Sequence, residues 1–151
     1  MTTATQSTTQ VREIYIRATQ QQVWDAITNP AVVARFFNGA QLEAKPEAGV
    51  KLRSWSPDGQ LWTDNTVLEY DPPRKLVFAW RSLHKPELAA EAESRVTCQI
   101  DEPRAGLSKL TVIHDKLDDA PKTAERVKGW AYILSNLKTT IETGEPLPPI
   151  L

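Results

Sequence analysis

The sequence contains very few of the residues that build disulfides and metal sites. Of its 151 residues, one is cysteine (Cys98) and two are histidine. A single cysteine excludes an intrachain disulfide and a zinc site made of several thiolates. His84 and His114 lie far apart in the sequence, without the HxxxH or HxH spacing of paired metal ligands. The sequence therefore predicts no metal site and no cofactor.

An excess of either charge and a long apolar run are also absent. Lys plus Arg total 18 and Asp plus Glu total 19, for a formal net charge of -1. A chain this close to neutrality has no extended basic field for nucleic acid or an anionic membrane, so we expect neither partner. No apolar run reaches the roughly 20 residues that cross a bilayer. The first ten residues lack the basic and apolar segments of a secretory signal, and we expect a cytoplasmic protein.

Short motifs of common enzyme classes are missing as well. The sequence contains no GxSxG, no phosphate-binding P-loop and no GxGxxG. Serine hydrolysis and nucleotide binding therefore have no support in the sequence, and a function has to be sought in the fold and its aromatic residues.

The first third of the chain predicts a strand and two short helices. The run VREIYIR, from Val11 to Arg17, is rich in β-branched and aromatic residues and predicts the strand. Thr19 and Gln22 have the spacing of a capping box, which predicts a helix over QQQVWDAIT that ends before Pro30. The segment PAVVARFF predicts the second helix, with proline in its first turn.

The rest of the chain predicts an antiparallel sheet and one long helix. Between residues 40 and 115 the apolar residues alternate and the turns are short, which indicates a meander and a total of six or seven strands. A helical repeat then runs from about Pro121 to Thr143 and stops at Gly144. We expect an α+β fold in which a curved antiparallel sheet wraps around the long C-terminal helix. We place one domain over residues 11–147, with a tail over 1–10 and another over 148–151.

Several of these segments resemble a known family. VWDAITNPAVVARFF, DGQLWTDNTVLEYDPPRKLVFAW, ESRVTCQID, LTVIHDKL and GWAYILSNLKTTIETGEPL together resemble the helix-grip fold of START and birch-pollen-allergen-like proteins. Within that superfamily the sequence is most similar to the bacterial branch named after the activator of Hsp90 ATPase. The resemblance covers residues 11 to 147. It implies a cavity beneath the long helix, where members of the superfamily bind lipids, hormones or polyketides and some catalyse cyclisation or hydration.

Aromatic residues are the most informative part of the sequence for function. Leu76, Phe78 and Trp80 alternate with smaller residues, which makes one face of their strand bulky. Trp62 has the same parity as Leu68 and Tyr70 on the preceding strand. Buried aromatic residues form a packed core or line an apolar pocket. We predict a ligand-binding set of Trp24, Phe36, Phe37, Trp55, Trp62, Phe78, Trp80, His114, Trp130 and Leu134.

Two further residues have an alternative interpretation. His114 is in step with Leu110 and Val112, so the three should share the inward face of a strand. His114 is then either a polar anchor or general base in the pocket, or a strand-end histidine bonded to a neighbour. Cys98 is in step with Val96 and Ile100, and we interpret it as a packing residue.

The function predicted from these features is binding of a small, mostly apolar or aromatic molecule between sheet and helix, without catalysis. One alternative is an enzyme of cyclase, dehydratase or hydrolase type in the same cavity, with His114 as its best single candidate. The other is a protein-interaction module in the stress response, which would bind a chaperone such as Hsp90 or a transcriptional regulator. An exposed edge strand could also pair two copies into a homodimer.

Overall fold

The fold is described from a computed structural model, which covers residues 9–149. The predicted tails 1–10 and 148–151 lie partly outside these residues, and Gln10 already belongs to the first strand. In chain order the elements are β1 (Gln10–Ile16), α1 (Gln20–Thr28), α2 (Pro30–Phe36), β2 (Gln41–Leu42), β3 (Lys51–Trp55), β4 (Leu61–Asp71), β5 (Lys75–Trp80), α3 (Pro86–Ala89), β6 (Ser94–Arg104), β7 (Leu107–Asp115), α4 (Pro121–Arg126) and α5 (Trp130–Thr143).

The strands form one antiparallel sheet in the order β1-β7-β6-β5-β4-β3-β2. From β2 to β7 each strand pairs with the next one in the sequence, as the short turns predict. The first strand joins the sheet beside the last one, where Gln10 is opposite His114 and Ile16 is opposite Ser108. The sheet curls into a half-barrel, and α1, α2 and α5 pack against its concave side. The prediction of an α+β helix-grip fold with a six- to seven-stranded sheet is confirmed.

Local capping fixes the two short helices after β1. The side chain of Thr19 accepts a hydrogen bond from the Gln22 N–H at 3.1 Å, and Gln22 Oε1 accepts from the Thr19 N–H at 2.8 Å. This is the capping box that the sequence predicts. Asn29 ends α1 and also caps α2, because its Oδ1 accepts from the Ala31 N–H at 3.0 Å. One residue therefore sets the bend between the two helices.

The C-terminal helix differs from the prediction of one continuous helix from Pro121 to Thr143. A 3₁₀ turn at Val127–Gly129 separates α4 from α5. Residues three apart stack on the same side of a 3₁₀ turn, and here Val127 and Trp130 are both buried. Glycine is also the weakest ordinary helix former, which favours the break at Gly129. Ala131 is exposed, and the inner face of α5 carries Trp130, Ile133, Leu134, Leu137 and Thr140.

A distant carboxylate caps the start of α4. Its N-cap, Ala120, offers no side-chain acceptor. Instead the Glu91 carboxylate accepts from the N–H of Lys122 at 2.9 Å, the N–H of Thr123 at 2.7 Å and the Thr123 hydroxyl at 2.8 Å. Burial opposes ionisation of Glu91, but these hydrogen bonds together hold its pKa below the ordinary value. Glu91 lies between α3 and β6, so the segment before β6 positions the C-terminal helix.

Within residues 9–149, no helix is both long and apolar enough to cross a membrane.

Candidate functional site

An apolar chamber of about 100 Å³ lies between the concave face of the sheet and helices α2 and α5. Its wall comes from both layers and includes Phe36, Leu52, Phe78, Cys98, Val112 and Leu134. An apolar cavity of about 150 Å³ in another protein stays dry and binds benzene. A chamber of this size therefore suits a small ring or a short alkyl chain.

Strand alternation explains which side chains reach the chamber. On β5, Leu76, Phe78 and Trp80 all point into it, as the bulky face of this strand requires. On β7, Leu110 and Val112 do the same. The side chains between them face the convex side of the sheet.

The few polar side chains in the chamber wall are already paired. The hydroxyls of Ser54 and Thr63 lie 2.6 Å apart, and Asn65 Oδ1 accepts the Arg81 N–H at 2.8 Å. A ligand in this part of the chamber therefore meets mainly apolar surface and few hydrogen-bonding groups.

Three rings form an aromatic cluster at one end of the chamber: Phe37, Trp80 and Trp130. Their centroids are 6.3 Å apart for Phe37–Trp80, 5.8 Å for Phe37–Trp130 and 5.9 Å for Trp80–Trp130. These spacings and the tilted or edge-on geometry are those of favourable aromatic pairs. All three residues line the chamber and also a second cavity beside it.

This second cavity, which we call the mouth, has a volume of about 260 Å³. Besides the aromatic cluster, its lining includes Asn38, Ser82, Arg126 and Tyr132. Asn38 and Arg126 are exposed, so the mouth reaches solvent. Among residues 9–149, no aspartate or glutamate lines it. The site thus has an apolar interior and a more polar entrance.

His114 lies behind the aromatic cluster and lines neither cavity. Its prediction on a buried face with Leu110 and Val112 is confirmed, since all three side chains are buried. Trp130 Nε1 donates to His114 Nδ1 at 3.1 Å. Nε2, which then carries the proton, donates to Ser94 Oγ at 2.7 Å. Burial lowers the pKa of His114 to about 4, against a smaller opposing effect of Asp115, so the ring is neutral near pH 7.

Cys98 lies in the chamber wall as a small packing residue. It is buried, and burial raises the pKa of its thiol to about 12. The thiolate, which is the nucleophilic form, is therefore disfavoured at neutral pH.

Three glutamates on or beside strands lie on the surface. Glu13 pairs with Lys109 at 3.2 Å and Glu69 with Lys75 at 3.0 Å, and Glu93 is exposed. Across the described residues, no group of three or more His, Cys, Asp or Glu side chains could hold a metal ion.

Most of the ligand-binding residues chosen from the sequence come together around the chamber. Phe36, Phe37, Phe78, Trp80, Trp130 and Leu134 all line it.

Three of the chosen tryptophans line neither cavity. Trp24 is buried against Tyr70, with ring centroids 5.5 Å apart. Trp55 lies beneath the Arg53 guanidinium, 5.7 Å from the ring centroid. Trp62 alternates with chamber residues of β4 and so faces the opposite side of the sheet.

The prediction that Trp62 faces the chamber is wrong, because the bulky side chains of β4 do not mark its inner face. The chamber side of this strand carries small and polar residues, Thr63 and Asn65. A register shift between Val67 and Glu69 then leaves Leu68 52% exposed.

Sequence reasoning also missed Asn38, Ser82 and Arg126 of the mouth. Asn38 follows the predicted end of α2, and Ser82 follows Trp80 by two residues, so both had a local signal. Arg126 had none, because it lies far in the sequence from the other two residues of the mouth.

Comparison with known proteins gives a family and a set of similar folds. The family model described as "Activator of Hsp90 ATPase homolog 1-like protein" matches residues 17–142. No curated protein matches the sequence. Among solved structures, DynU16 from the dynemicin biosynthetic locus is similar with a TM-score of 0.76 and 25% identity. The match covers 93% of this chain and 49% of DynU16, so the chain spans about half the length of that protein.

Two further structures share the fold at lower identity. An HSP90 activator from Plasmodium falciparum has a TM-score of 0.69 and 19% identity, over 91% of this chain and 97% of its own. The Aha1 dimer from Colwellia psychrerythraea has a TM-score of 0.71 and 14% identity, over 90% of this chain and 97% of its own.

Proposed function

The chain belongs to the family of activator of Hsp90 ATPase homolog 1-like proteins, and from this premise we propose that it binds a small, mostly apolar or aromatic molecule in the chamber without converting it. The observation that carries the proposal is the apolar chamber itself, enclosed by both layers of the fold. Binding sites of small molecules are typically concave and mostly apolar, with few polar groups.

The size of the chamber sets the expected affinity. Burial contributes about 0.8 kcal/mol per CH₂ group, so six carbons contribute roughly 5 kcal/mol. A free energy of that size corresponds to a dissociation constant of roughly 0.2 mM. A ligand that fills only the chamber should therefore bind weakly, and a tighter ligand needs contacts outside it.

The chemistry of the site supports binding over catalysis. Both nitrogens of His114 are engaged, by Trp130 and Ser94, and its lowered pKa makes it a weak base. Cys98 has no charged neighbour in the chamber wall to stabilise its thiolate. An enzyme would need two titratable groups that converge on a substrate, and the wall of the chamber offers none besides Cys98.

Thermal denaturation with indole and toluene tests the proposal. A ligand at ten times its dissociation constant adds about 1.4 kcal/mol of stability, which raises the melting temperature of a domain this size by roughly 3–5 °C. Val112→Phe fills the chamber and should abolish the shift. Val11→Phe makes the same substitution at an exposed position of β1 and should leave it unchanged. If neither compound shifts the folded wild-type protein, the chamber is not a binding site for such molecules.

A protein partner is a second candidate, supported by a different observation. Val50 and Leu68 are exposed apolar residues near the same stretch of β4, since the Val67 N–H bonds to the Val50 carbonyl. The fold is shared with an Hsp90 activator and with a dimeric Aha1. Leu68→Ser should weaken binding to Hsp90 or self-association in sedimentation experiments. A wild-type protein that neither sediments as a dimer nor binds Hsp90 would count against this candidate.

A further inference from the structure

The chamber and the mouth are neighbouring cavities on either side of the aromatic cluster. Phe37, Trp80, Trp130 and Ile133 line both cavities. A ligand whose apolar end lies in the chamber therefore has its other end next to the mouth, and it enters the mouth when these side chains move apart. The chemistry of the mouth then decides what that other end can be.

Hydrogen-bond donors in the mouth are unused. Trp80 Nε1 donates to Ser82 Oγ at 3.0 Å, which occupies a lone pair of the oxygen and leaves the hydroxyl proton free. Neither this proton nor the Asn38 amide has an acceptor among the described residues. The proton of the Tyr132 hydroxyl, by contrast, is already used, because it is donated to the Pro148 carbonyl at 2.6 Å.

Charge in the mouth is of one sign. Arg126 forms no ion pair within residues 9–149, and no carboxylate lines the cavity. The nearest acidic residue in the sequence, Glu125, is bonded to Lys128 at 2.8 Å. Burial lowers the pKa of His84, and the charges of Arg126 and Lys85 lower it further against a smaller opposing effect of Glu87, so Arg126 and Lys85 both lie near this ring.

We propose that the ligand is a small aromatic or short alkyl monocarboxylic acid, with its apolar part in the chamber and its carboxylate held in the mouth by Arg126, Ser82 and Asn38. This inference rests on the proposed function, because the apolar part needs the chamber. A guanidinium matches a carboxylate with two parallel hydrogen bonds, and a serine hydroxyl and an amide add neutral donors. These contacts supply the affinity that the chamber alone lacks.

Calorimetric titration with two probes tests the inference. 3-Phenylpropionate carries the carboxylate, and 3-phenylpropan-1-ol has the same ring and chain without the charge. We expect the acid to bind about tenfold more tightly, a difference of about 1.4 kcal/mol, and this advantage to shrink at high salt. Arg126→Gln should remove the advantage of the acid over the alcohol. Arg126→Lys keeps the positive charge but cannot form two parallel hydrogen bonds, so it should retain part of the acid's affinity advantage.

Arg104→Gln is the matched control. Arg104 is an exposed arginine at the end of β6, and it lines neither cavity. Its substitution removes the same charge and should leave both affinities unchanged. Equal binding of acid and alcohol, unaffected by Arg126→Gln, would overturn the carboxylate inference and leave the chamber as a binding site. Failure of both probes to bind would overturn the inference together with the proposed function.

Discussion

The buried His114 should make the protein lose stability in mild acid. Its pKa falls from an ordinary value of 6.5 to about 4 in the folded protein, because burial disfavours the imidazolium. Between these two values the unfolded chain binds a proton that the folded chain does not. The free energy of unfolding therefore decreases as the pH falls through 6.5 and continues to decrease down to about 4.

The magnitude follows from the two pKa values. One pKa unit corresponds to about 1.4 kcal/mol, and a group with values of 6.5 and about 4 loses about 2 kcal/mol of stability between pH 8 and pH 5. The carboxylates with lowered pKa, such as Glu91 and Asp115, act in the same direction but at lower pH, below their unfolded values. His84 also has a lowered pKa and must be separated experimentally.

Urea denaturation at pH 8 and pH 5 measures the difference. We expect His84→Gln to lose about 2 kcal/mol and wild type slightly more, because His84 adds to the loss, whereas His114→Gln should lose far less, whatever its stability at pH 8. The change in the free energy of unfolding between the two pH values is compared, and not the stability at one pH, because His114→Gln also removes the hydrogen bonds to Trp130 and Ser94. A His114→Gln variant with the full wild-type loss would refute the assignment of a neutral buried imidazole.

Three other variants or reactions probe the packing around the site. Cys98 should not react with a thiol reagent at pH 8 in the native protein but should react fully in denaturant, because its pKa is raised to about 12 by burial; rapid native labelling would contradict this. Asn136→Ala should lower the free energy of unfolding in urea by about 2–4 kcal/mol, since Asn136 Nδ2 donates to the Phe36 carbonyl at 3.2 Å and its Oδ1 accepts from the Leu147 N–H at 2.7 Å. Ser135→Ala, at an exposed position, is the control and should remain within about 0.5 kcal/mol of wild type. Gly39→Ala should lower the free energy of unfolding by about 1–3 kcal/mol, because φ is 77° and the new Cβ would lie 2.9 Å from Pro57 Cγ. Gly129→Ala is the control: its Cβ meets nothing within 4 Å, so it should stabilise the protein by up to about 1 kcal/mol. Equal effects of the two substitutions would argue against this reasoning.

Local signals in the sequence predicted most of the fold. The capping box of Thr19 and Gln22 needs only residues within one turn, and α1 has the predicted bounds. The alternation on β5 and β7 also places the inner faces correctly, because a strand has one parity as long as its register is regular. The family resemblance is confirmed by the match to residues 17–142.

Features that depend on distant residues could not be predicted. Which residues of β4 face the chamber depends on the direction in which the sheet curves. Bulky Trp62 is therefore a misleading guide, since Thr63 and Asn65 line the chamber. The break before α5 coincides with two buried residues, Val127 and Trp130, whose burial depends on the rest of the fold. The mouth gathers residues from three separate segments, so neither spacing nor composition marks it.

The capping of α4 by Glu91 has a consequence for the order of folding. The carboxylate and the N–H groups that it accepts from are 31 and 32 residues apart, on opposite sides of the β6–β7 hairpin. A short isolated helix is marginal in water, and α4 has only six residues and no cap of its own. The contact between Glu91 and the start of α4 forms only after the β6–β7 hairpin, which lies between them in the sequence, has formed. The C-terminal helix is therefore expected to nucleate in α5 and to extend backwards into α4 last, so that the mouth, to which α4 contributes Arg126, is completed at the final stage of folding.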